Sequence, residues 1–456
     1  MDGEQKLQQP DMVVGQTDVL KALSACLPRR NKDSDQWWNL TGKHLAVLLQ
    51  AAEYSLERQY QALLFHYHWT VPCMGEAPPL SGKTHSIGKA SLALDGSPIE
   101  YSWKWNTLKS PPAVRYTIEP LGQWAGTELD PLNQQSTREM LHGLSGVLPG
   151  LENAWASHFF ASMFDHDNIR YVKEAAQGPK RRATTNMAIE LMEDGPIIKT
   201  YFLPQKLGQK GPIPLEQWLG PLRSLHPDSP SRDAVVDFLT TNPEGKTFNP
   251  FGIGIDNIVP KNARIKWYLH TPHTSFNSVR EVMTLGNMIA MPDVDTLFDQ
   301  LRTLINSVNG VSADFPEDKE VPIGPELDPV GSRKYSDMTG ALSGYLYYFD
   351  VCPGKQLPEI KLYIPTRNYG ADDQSIACAL TAWMEAQGRG SYCQAYMNAL
   401  QRLVEHRPLD QDKSLHTFVS CAFKKGEIDV TSYLGAEAFH PGRVPRTGRS
   451  TLRRDE

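Results

Sequence analysis

Hydrophobic residues along this chain follow two different spacings, and the switches between them outline an architecture. From Asp35, the stretch DQWWNLTGKHLAVLLQAAEY sets Trp38, Leu45, Leu48 and Leu49 roughly on one helical face. SLERQYQALLFHYHWTVPCMG continues as a second helix, closed by Pro72 and Gly75. Alternation at every second residue then takes over. HSIGKASLALDG with a turn at Gly96, IEYSWKW, and AVRYTIEPL ending at Pro120 all read as strands. REMLHGLSGVLPG and NAWASHFFASMF return to helical spacing, and ATTNMAIELM with GPIIKTYFLP predicts a hairpin around Asp194-Gly195. The second half keeps this rhythm. Helices around residues 214–240 lead to FGIGIDNIV and NARIKWYLH, and SVREVMTLGN and VDTLFDQLRTLINSV lead to ALSGYLYYFDV and EIKLYIPT. QSIACALTAWMEAQG and YCQAYMNALQRLV lead to SLHTFVSCAFKKG and EIDVTSYLG.

Paired strands followed by paired helices differ from the single-strand, single-helix alternation that builds a parallel sheet. They fit antiparallel hairpins closing into a barrel with helices outside, an α+β architecture. Residues 35–440 are expected to form this one domain. Residues 1–34 are expected to be flexible or loosely packed, and 441–456 to be a basic flexible tail.

A barrel gives the segment Arg264–Leu269 a direction. Its alternation puts Arg264, Lys266 and Tyr268 on one face and Ile265, Trp267 and Leu269 on the other. Taken alone, the polar face also suits a solvated edge strand. The same lysine-to-tyrosine spacing recurs in Lys199-Thr200-Tyr201 and Lys361-Leu362-Tyr363. Helices packed outside require the apolar faces to point outward, which turns Arg115, Lys199, Arg264, Lys266 and Lys361 into the interior. Buried unpaired ammonium and guanidinium groups are costly, so an anion (phosphate, pyrophosphate or carboxylate) is their natural partner.

Composition narrows the classes. The 456 residues are 40% hydrophobic and 21% charged, as in ordinary folded domains. A formal net charge of -6 argues against a general nucleic-acid binder, so the anion site is local. Six cysteines without a CxxC suggest reduced thiols and a cytoplasmic protein. The start MDGEQKLQQP does not read as a signal peptide, and no apolar run reaches the roughly 18 residues of a membrane span. Walker A and GxGxxG motifs are absent. His66 and His68 read as core-edge residues and Asp165-His166-Asp167 as a cap or surface loop, not as metal sites. Asp372-Asp373 lacks the third aspartate of a DDxxD magnesium motif and reads as a helix cap.

Several segments together resemble the fungal aromatic prenyltransferases of the dimethylallyltryptophan synthase family. IEYSWKW with AVRYTIEP, GTELDPLN, IIKTYFLP, ARIKWYL, MTLGN, IKLYI and VTSYLG carry the likeness, in order, from about residue 35 to about residue 440. The resemblance implies an αββα prenyltransferase barrel, ten antiparallel strands closed around a central chamber. It implies that Arg115, Lys199, Arg264, Lys266 and Lys361 bind a diphosphate, that Tyr201, Tyr268, Tyr363 and Tyr433 shield an allylic carbocation, and that Glu100 is the catalytic residue, an acidic group holding an indole N–H. Lys361 stands where tryptophan-using members carry glutamine. Asn186 stands where they carry the lysine credited with removing the ring proton, which leaves that base unassigned.

The chemistry of the residues is consistent with these roles. Fixed cations stabilise charge developing on a departing diphosphate, tyrosine faces attract a carbocation, and a screened chamber keeps water from quenching it. The expected reaction is Friedel–Crafts transfer of a dimethylallyl group from dimethylallyl diphosphate to an indole, such as a tryptophan-derived cyclic dipeptide or another indole alkaloid. Neither Mg²⁺ nor a cofactor is expected to be required. Ile99, Glu100, Trp103, Asn186 and Met283 are expected around the acceptor. A phenolic, xanthone-like or tyrosine-derived acceptor is the alternative, and a non-enzymatic anion- or lipid-binding barrel is another. Partners are expected to be small molecules, without nucleic acid or stable membrane insertion, and a homodimer is left open.

Overall fold

Ten strands close into a single antiparallel barrel. They are β1 (Ile99–Lys104), β2 (Ala113–Ile118), β3 (Thr185–Met192), β4 (Gly195–Phe202), β5 (Asn249–Asp256), β6 (Ile265–Thr271), β7 (Tyr345–Val351), β8 (Glu359–Ile364), β9 (His416–Lys424) and β10 (Glu427–Gly435). Each pairs with its neighbours in sequence, and β1 closes the ring on β10, which removes the free sheet edges an open sheet would expose. The computed structural model describes residues 17–79, 90–177, 184–209, 211–325 and 343–443.

Register explains which face is inside. Arg115 lies opposite Glu190, Lys199 opposite Asp256, Lys266 opposite Asp350, and Tyr348 opposite Lys361. A period of two therefore carries one polar face around the whole interior. The alternate residues, including Trp103, Ile265, Trp267, Leu269, Phe349, Leu362 and Val430, form a buried apolar surface facing the helices. These helices come in pairs between hairpins, such as Leu215–Leu225 with Pro230–Thr241 and Asp373–Ala386 with Cys393–Leu403. Their starts follow local chemistry. Ser229 accepts from Arg232 N and precedes Pro230 in the first turn. Asp372 likewise accepts from Ser375 N, giving the helix cap expected at that position.

The β9–β10 hairpin has a two-residue turn in which Lys425 and Gly426 take φ values of 51° and 78°. Two successive left-handed residues match the twist of the flanking strands, and the glycine adopts that conformation without strain.

Three expectations need correction. The strand expected over HSIGKASLALDG does not form in its described part, residues 90–96, which bend and turn; residues 85–89 lie outside the described residues. Carboxylates here take the amide hydrogens a ladder would use: Ser91 N and Leu92 N donate to Glu119 Oε2, and Ser97 N donates to Asp95 Oδ1. The segment 1–34 is not loose throughout. Helix Asp18–Cys26, capped by Thr17, buries Val19, Leu20 and Leu23, an apolar stripe short enough to pass for a polar tail. Pro441–Arg443, assigned to the flexible tail, is also docked. Arg443 donates to the carbonyls of Glu437, Leu403 and Ala436, while residues 444–456 lie outside the described residues.

Candidate active site

Antiparallel pairing gathers charge at one end of the barrel. Lys104 ends β1, Asp256 ends β5, Arg264 precedes β6, and Asp429 begins near the start of β10. Inside this end, Arg115 Nη1 meets Glu190 Oε1 at 2.7 Å, and Lys199 Nζ meets Glu190 Oε2 at 2.8 Å. Asp256 accepts from Arg264 at 2.8 Å and Lys266 at 3.3 Å, with Lys199 at 3.6 Å. Arg264 also reaches Asp350 at 3.0 Å, and Lys104 reaches Asp429 at 3.2 Å. The five expected diphosphate-binding cations thus share one end of one chamber.

The carboxylates Glu190, Asp256, Asp350 and Asp429 were not singled out from sequence. Their signal was the same alternation, which sets Asp256 in GIGID and Asp350 in YLYYFDV on the polar face. They hold the cations at a fixed separation without neutralising them all. Lys361 Nζ donates only to the neutral Thr431 Oγ1, at 3.3 Å, among the described contacts.

Protonation reflects this crowding. Burial, with Lys266 and Arg115 adding repulsion, brings Lys199 down to about 7 despite Glu190 and Asp256. Burial, reinforced by Arg115, Lys424 and Lys104 against Asp429, brings Lys361 down to about 7 as well. Burial would raise the Glu190 carboxyl, but Arg115, Lys199 and Lys266 hold it down to about 2. Both lysines lose charge as pH rises through about 7, and an added polyanion favours their charged forms. Diphosphate binding near pH 7.5 should therefore take up protons, and affinity should weaken toward pH 8.5. Calorimetry of inorganic diphosphate in two buffers of different ionisation enthalpy measures this uptake; equal heats in both would contradict it.

A belt of tyrosines spans the middle of the chamber. Ring centroids lie 5.7 Å apart for Tyr201–Tyr268, 6.0 Å for Tyr268–Tyr363 and 5.5 Å for Tyr363–Tyr433. Tyr348, not anticipated from sequence, joins this belt at 5.7 Å from Tyr268 and 6.0 Å from Tyr363. Lys266 Nζ and Lys361 Nζ stand 5.9 Å from the Tyr348 and Tyr363 rings, which couples the cations to the belt. Burial holds all five phenols above their ordinary value. They present neutral rings and hydroxyls at physiological pH.

Gly254 makes room for two of these rings. A Cβ there would stand 2.9 Å from Tyr201 Cδ1 and 3.2 Å from Tyr268 Cε2. Gly254→Val should displace the pair and open the screen to water. The expected result is a roughly tenfold rise in the ratio of dimethylallyl alcohol to alkylated acceptor, read by chromatography. An unchanged ratio would mean that these rings do not screen the reaction centre.

The opposite end has different chemistry. Glu100, near the start of β1, is 9% exposed. The β9–β10 register slips between Tyr433 and Leu434, leaving Thr417 as an extra residue between His416 and Phe418. This bulge turns Thr417 Oγ1 to donate to Glu100 Oε1 at 2.6 Å. Phe418 beside it faces Tyr363 and Tyr433. Burial raises the Glu100 pKa, with the Thr417 hydrogen bond and Arg367 pulling it down. Asn186 lies opposite Tyr201, its Oδ1 buried and without a hydrogen-bond partner.

Three expected acceptor residues fall elsewhere. Ile99 and Trp103 alternate with the inward Glu100 and Ser102, so they point to the helices. Trp103 packs 5.6 Å from Tyr396 of the helix Cys393–Leu403. Met283, at the end of the helix Phe276–Met283, lies in the apolar core. The strand period alone separates Glu100 from Ile99 and Trp103; their motif neighbourhood obscured that.

Other sequence features are structural. His66 is buried, held down to about 3 by burial, and pairs with Thr41 Oγ1 at 2.7 Å. Asp165 accepts from Leu207 N, and Asp167 from Arg170 N at the start of the helix Asn168–Gln177. Among the described residues no group of three or more His, Cys, Asp and Glu side chains is placed to hold a metal ion, and no helix is long and apolar enough to cross a membrane.

Known proteins are similar to this chain over most of its length. Residues 33–399 match the profile of the family described as tryptophan dimethylallyltransferase. The chain is 48% identical to prenyltransferase anuH of Penicillium roqueforti, over 96% of this chain and 98% of that protein. It is 44% identical to xanthone prenyltransferase B of Emericella nidulans, over 96% of this chain and 95% of that protein. In structure it resembles AnaPT from Neosartorya fischeri, with a TM-score of 0.74 at 23% identity, covering 93% of this chain and 100% of that one.

Proposed function

We propose that this chain, which belongs to the tryptophan dimethylallyltransferase family of fungal aromatic prenyltransferases, transfers a dimethylallyl group from dimethylallyl diphosphate to a ring carbon of a phenolic acceptor. Family membership makes it an enzyme of prenyl transfer, not a passive anion- or lipid-binding barrel.

The observation that carries the acceptor class is relatedness. Two curated relatives at 44% and 42% identity are xanthone prenyltransferases, whereas solved dimethylallyltryptophan synthases stand at 18–20%. Asn186, in place of the lysine expected of tryptophan-using members, speaks against free tryptophan as the acceptor. An indole acceptor is the second reading, supported by Glu100, which suits an N–H as well as an O–H.

In the proposed reaction, Arg115, Lys199, Arg264, Lys266 and Lys361 bind the diphosphate and stabilise its charge as the allylic C–O bond breaks. The bonding electrons leave with the diphosphate. Tyr201, Tyr268, Tyr348, Tyr363 and Tyr433 surround the carbocation and keep water from it. Glu100, held by Thr417, accepts the acceptor's O–H and enriches the ring in electrons. A ring carbon then attacks the allylic carbon to form the new C–C bond, and the proton on that ring carbon passes to the departed diphosphate, which restores aromaticity.

Because fixed cations already face the diphosphate end, the reaction should not need Mg²⁺. Initial rates with and without millimolar EDTA are expected to agree within about 20%, since the protein's own cations supply the charge stabilisation. Loss of activity that Mg²⁺ restores would contradict this. The acceptor class is tested by competition between a hydroxyxanthone and a tryptophan-containing cyclic dipeptide at equal concentration. The phenol should dominate the products; prenylated indole as the main product would reverse the assignment.

A further inference from the structure

Asp373 follows the Asp372 cap as the first residue of the helix Asp373–Ala386, and it is wholly buried. The reaction above does not use it. Pairing of β8 with β9 stops at Ile364 and Val419, so the first residues of β9 run past β8 with amides still to satisfy. Asp373 takes them. Its Oδ1 accepts from His416 N at 2.7 Å and His416 Nδ1 at 2.9 Å, and its Oδ2 accepts from Leu415 N at 3.1 Å. The far side of the His416 ring meets the Tyr396 hydroxyl at 2.9 Å through Nε2. Arg407 balances the buried charge and bridges Asp373 to Glu437, just beyond β10. The next residue along β9 is Thr417, the bulge residue that donates to Glu100 at 2.6 Å.

We propose that Asp373 is a positioning residue for the reaction: by gripping Leu415 and His416 it holds the β9 bulge so that the Thr417 hydroxyl is aimed at Glu100. This rests on the role given to Glu100 above. A bulge leaves its extra residue out of the ladder, so strand pairing alone does not fix where that side chain points. Three bonds from the two preceding residues to one buried carboxylate supply the missing constraint.

The test is the pH profile of kcat/KM for the acceptor in Asp373→Asn. Asparagine has one acceptor oxygen, so its amide nitrogen must face either the two His416 donors or Leu415 N and Arg407, and half of the grip is lost. Thr417 then loses its aim, and Glu100 loses a bond that favours its charged form. The acidic limb should move to higher pH by on the order of half a pH unit, and Thr417→Val should move it by about one, the scale of a hydrogen bond to a charged group. The double variant should match Thr417→Val alone, because both changes act through one bond. Thr417→Ser, which keeps the hydroxyl, should leave the limb in place. Diphosphate affinity, set at the other end of the chamber, should be unchanged throughout.

The direction of the shift separates positioning from charge felt through space. Glu100 faces Thr417, Arg367 and Tyr433, and Asp373 faces Arg407, His416 and Tyr396. Loss of the Asp373 charge, acting through space, would favour ionised Glu100 and move the limb to lower pH. A purely structural Asp373 would lower the melting temperature and leave the limb where it is. Either result overturns the proposal, and so does an unmoved limb in Thr417→Val. His416→Leu, which cuts the ring's bond alone, is the second variant should Asp373→Asn fail to fold; its limb should also move to higher pH, and an unmoved limb overturns the proposal there too. A limb that vanishes in Glu100→Gln yet stays fixed in the Asp373 variant removes this inference only. A limb that survives Glu100→Gln removes the role of Glu100 with it.

Discussion

Glu100→Gln is expected to lower kcat by roughly two to three orders of magnitude, the range for losing a positioned proton acceptor, while the affinity for dimethylallyl diphosphate stays within about twofold, since the diphosphate ligands are untouched. The substitution keeps size and shape, and its amide oxygen can still accept from Thr417 Oγ1, which lies 2.6 Å from the present carboxylate. What disappears is the negative charge that draws on the acceptor's hydroxyl as positive charge develops in the ring. The separation in space makes the effects separable. Glu100 is at the start of β1, while Lys104 at its end belongs to the charged cluster.

The pH profile supplies a second signature. Burial places the Glu100 pKa above the ordinary carboxylate range. Its ionised form is required, so kcat/KM for the acceptor should fall as pH drops through that raised pKa. In Glu100→Gln this acidic limb should vanish. A variant with full activity, or one with the limb intact, would remove Glu100 from the proposed role.

Lys361→Met should move activity and stability in opposite directions. Lys361 Nζ is buried with Thr431 Oγ1 at 3.3 Å, and Asp429 retains Lys104 at 3.2 Å and Lys424 at 3.7 Å when Lys361 is removed. No carboxylate is orphaned. The variant should lose a factor of about 10² to 10³ in kcat/KM for the donor, typical of deleting one donor to a developing anion. It should also melt roughly 2–5 °C higher, because an isolated buried ammonium is replaced by an apolar chain. Lys361 is held down to about 7 in the folded protein, below its ordinary value. Its destabilising effect is therefore full below pH 7 and fades as pH rises toward that ordinary value, so the gain in melting temperature should be larger at pH 6 than at pH 9. A variant that loses stability as well as activity would show that Lys361 is structural.

The barrel was legible because two local signals agreed along most of the chain. Alternation in ARIKWYL and EIKLYI, read with helical pairs on either side, fixed both the strands and the face that turns inward. Closure of β1 on β10 was not written in any local pattern and came from family likeness. Within the site, Lys199, Lys266 and Lys361 with Tyr201, Tyr268 and Tyr363 stood out because a lysine two residues before a tyrosine is conspicuous, whereas Tyr433 has no such lysine and came from family likeness. The carboxylates on the same faces did not, since an Asp in a strand reads equally well as a turn or an exposed position.

Thr417 illustrates the deeper limit. A strict period of two would put Phe418 and Thr417 on opposite faces. Only the slip between Tyr433 and Leu434 brings both to the chamber, and a bulge has no reliable mark in one sequence. Trp103 failed for the converse reason. Nearness to Glu100 in sequence suggested a shared pocket, although one residue of strand is enough to send a side chain to the other face.

The central claim is that this chamber ionises an allylic diphosphate and hands the carbocation to an aromatic ring carbon. It is tested most directly by incubating the protein with dimethylallyl diphosphate and a mixed panel of hydroxyxanthones, simpler phenols, tryptophan and cyclic dipeptides, then resolving the products by mass spectrometry and NMR. The predicted result is a phenol carrying one new dimethylallyl group on carbon, formed in step with one diphosphate released. Diphosphate release without an alkylated ring, or no consumption of any aromatic in the panel, would contradict it.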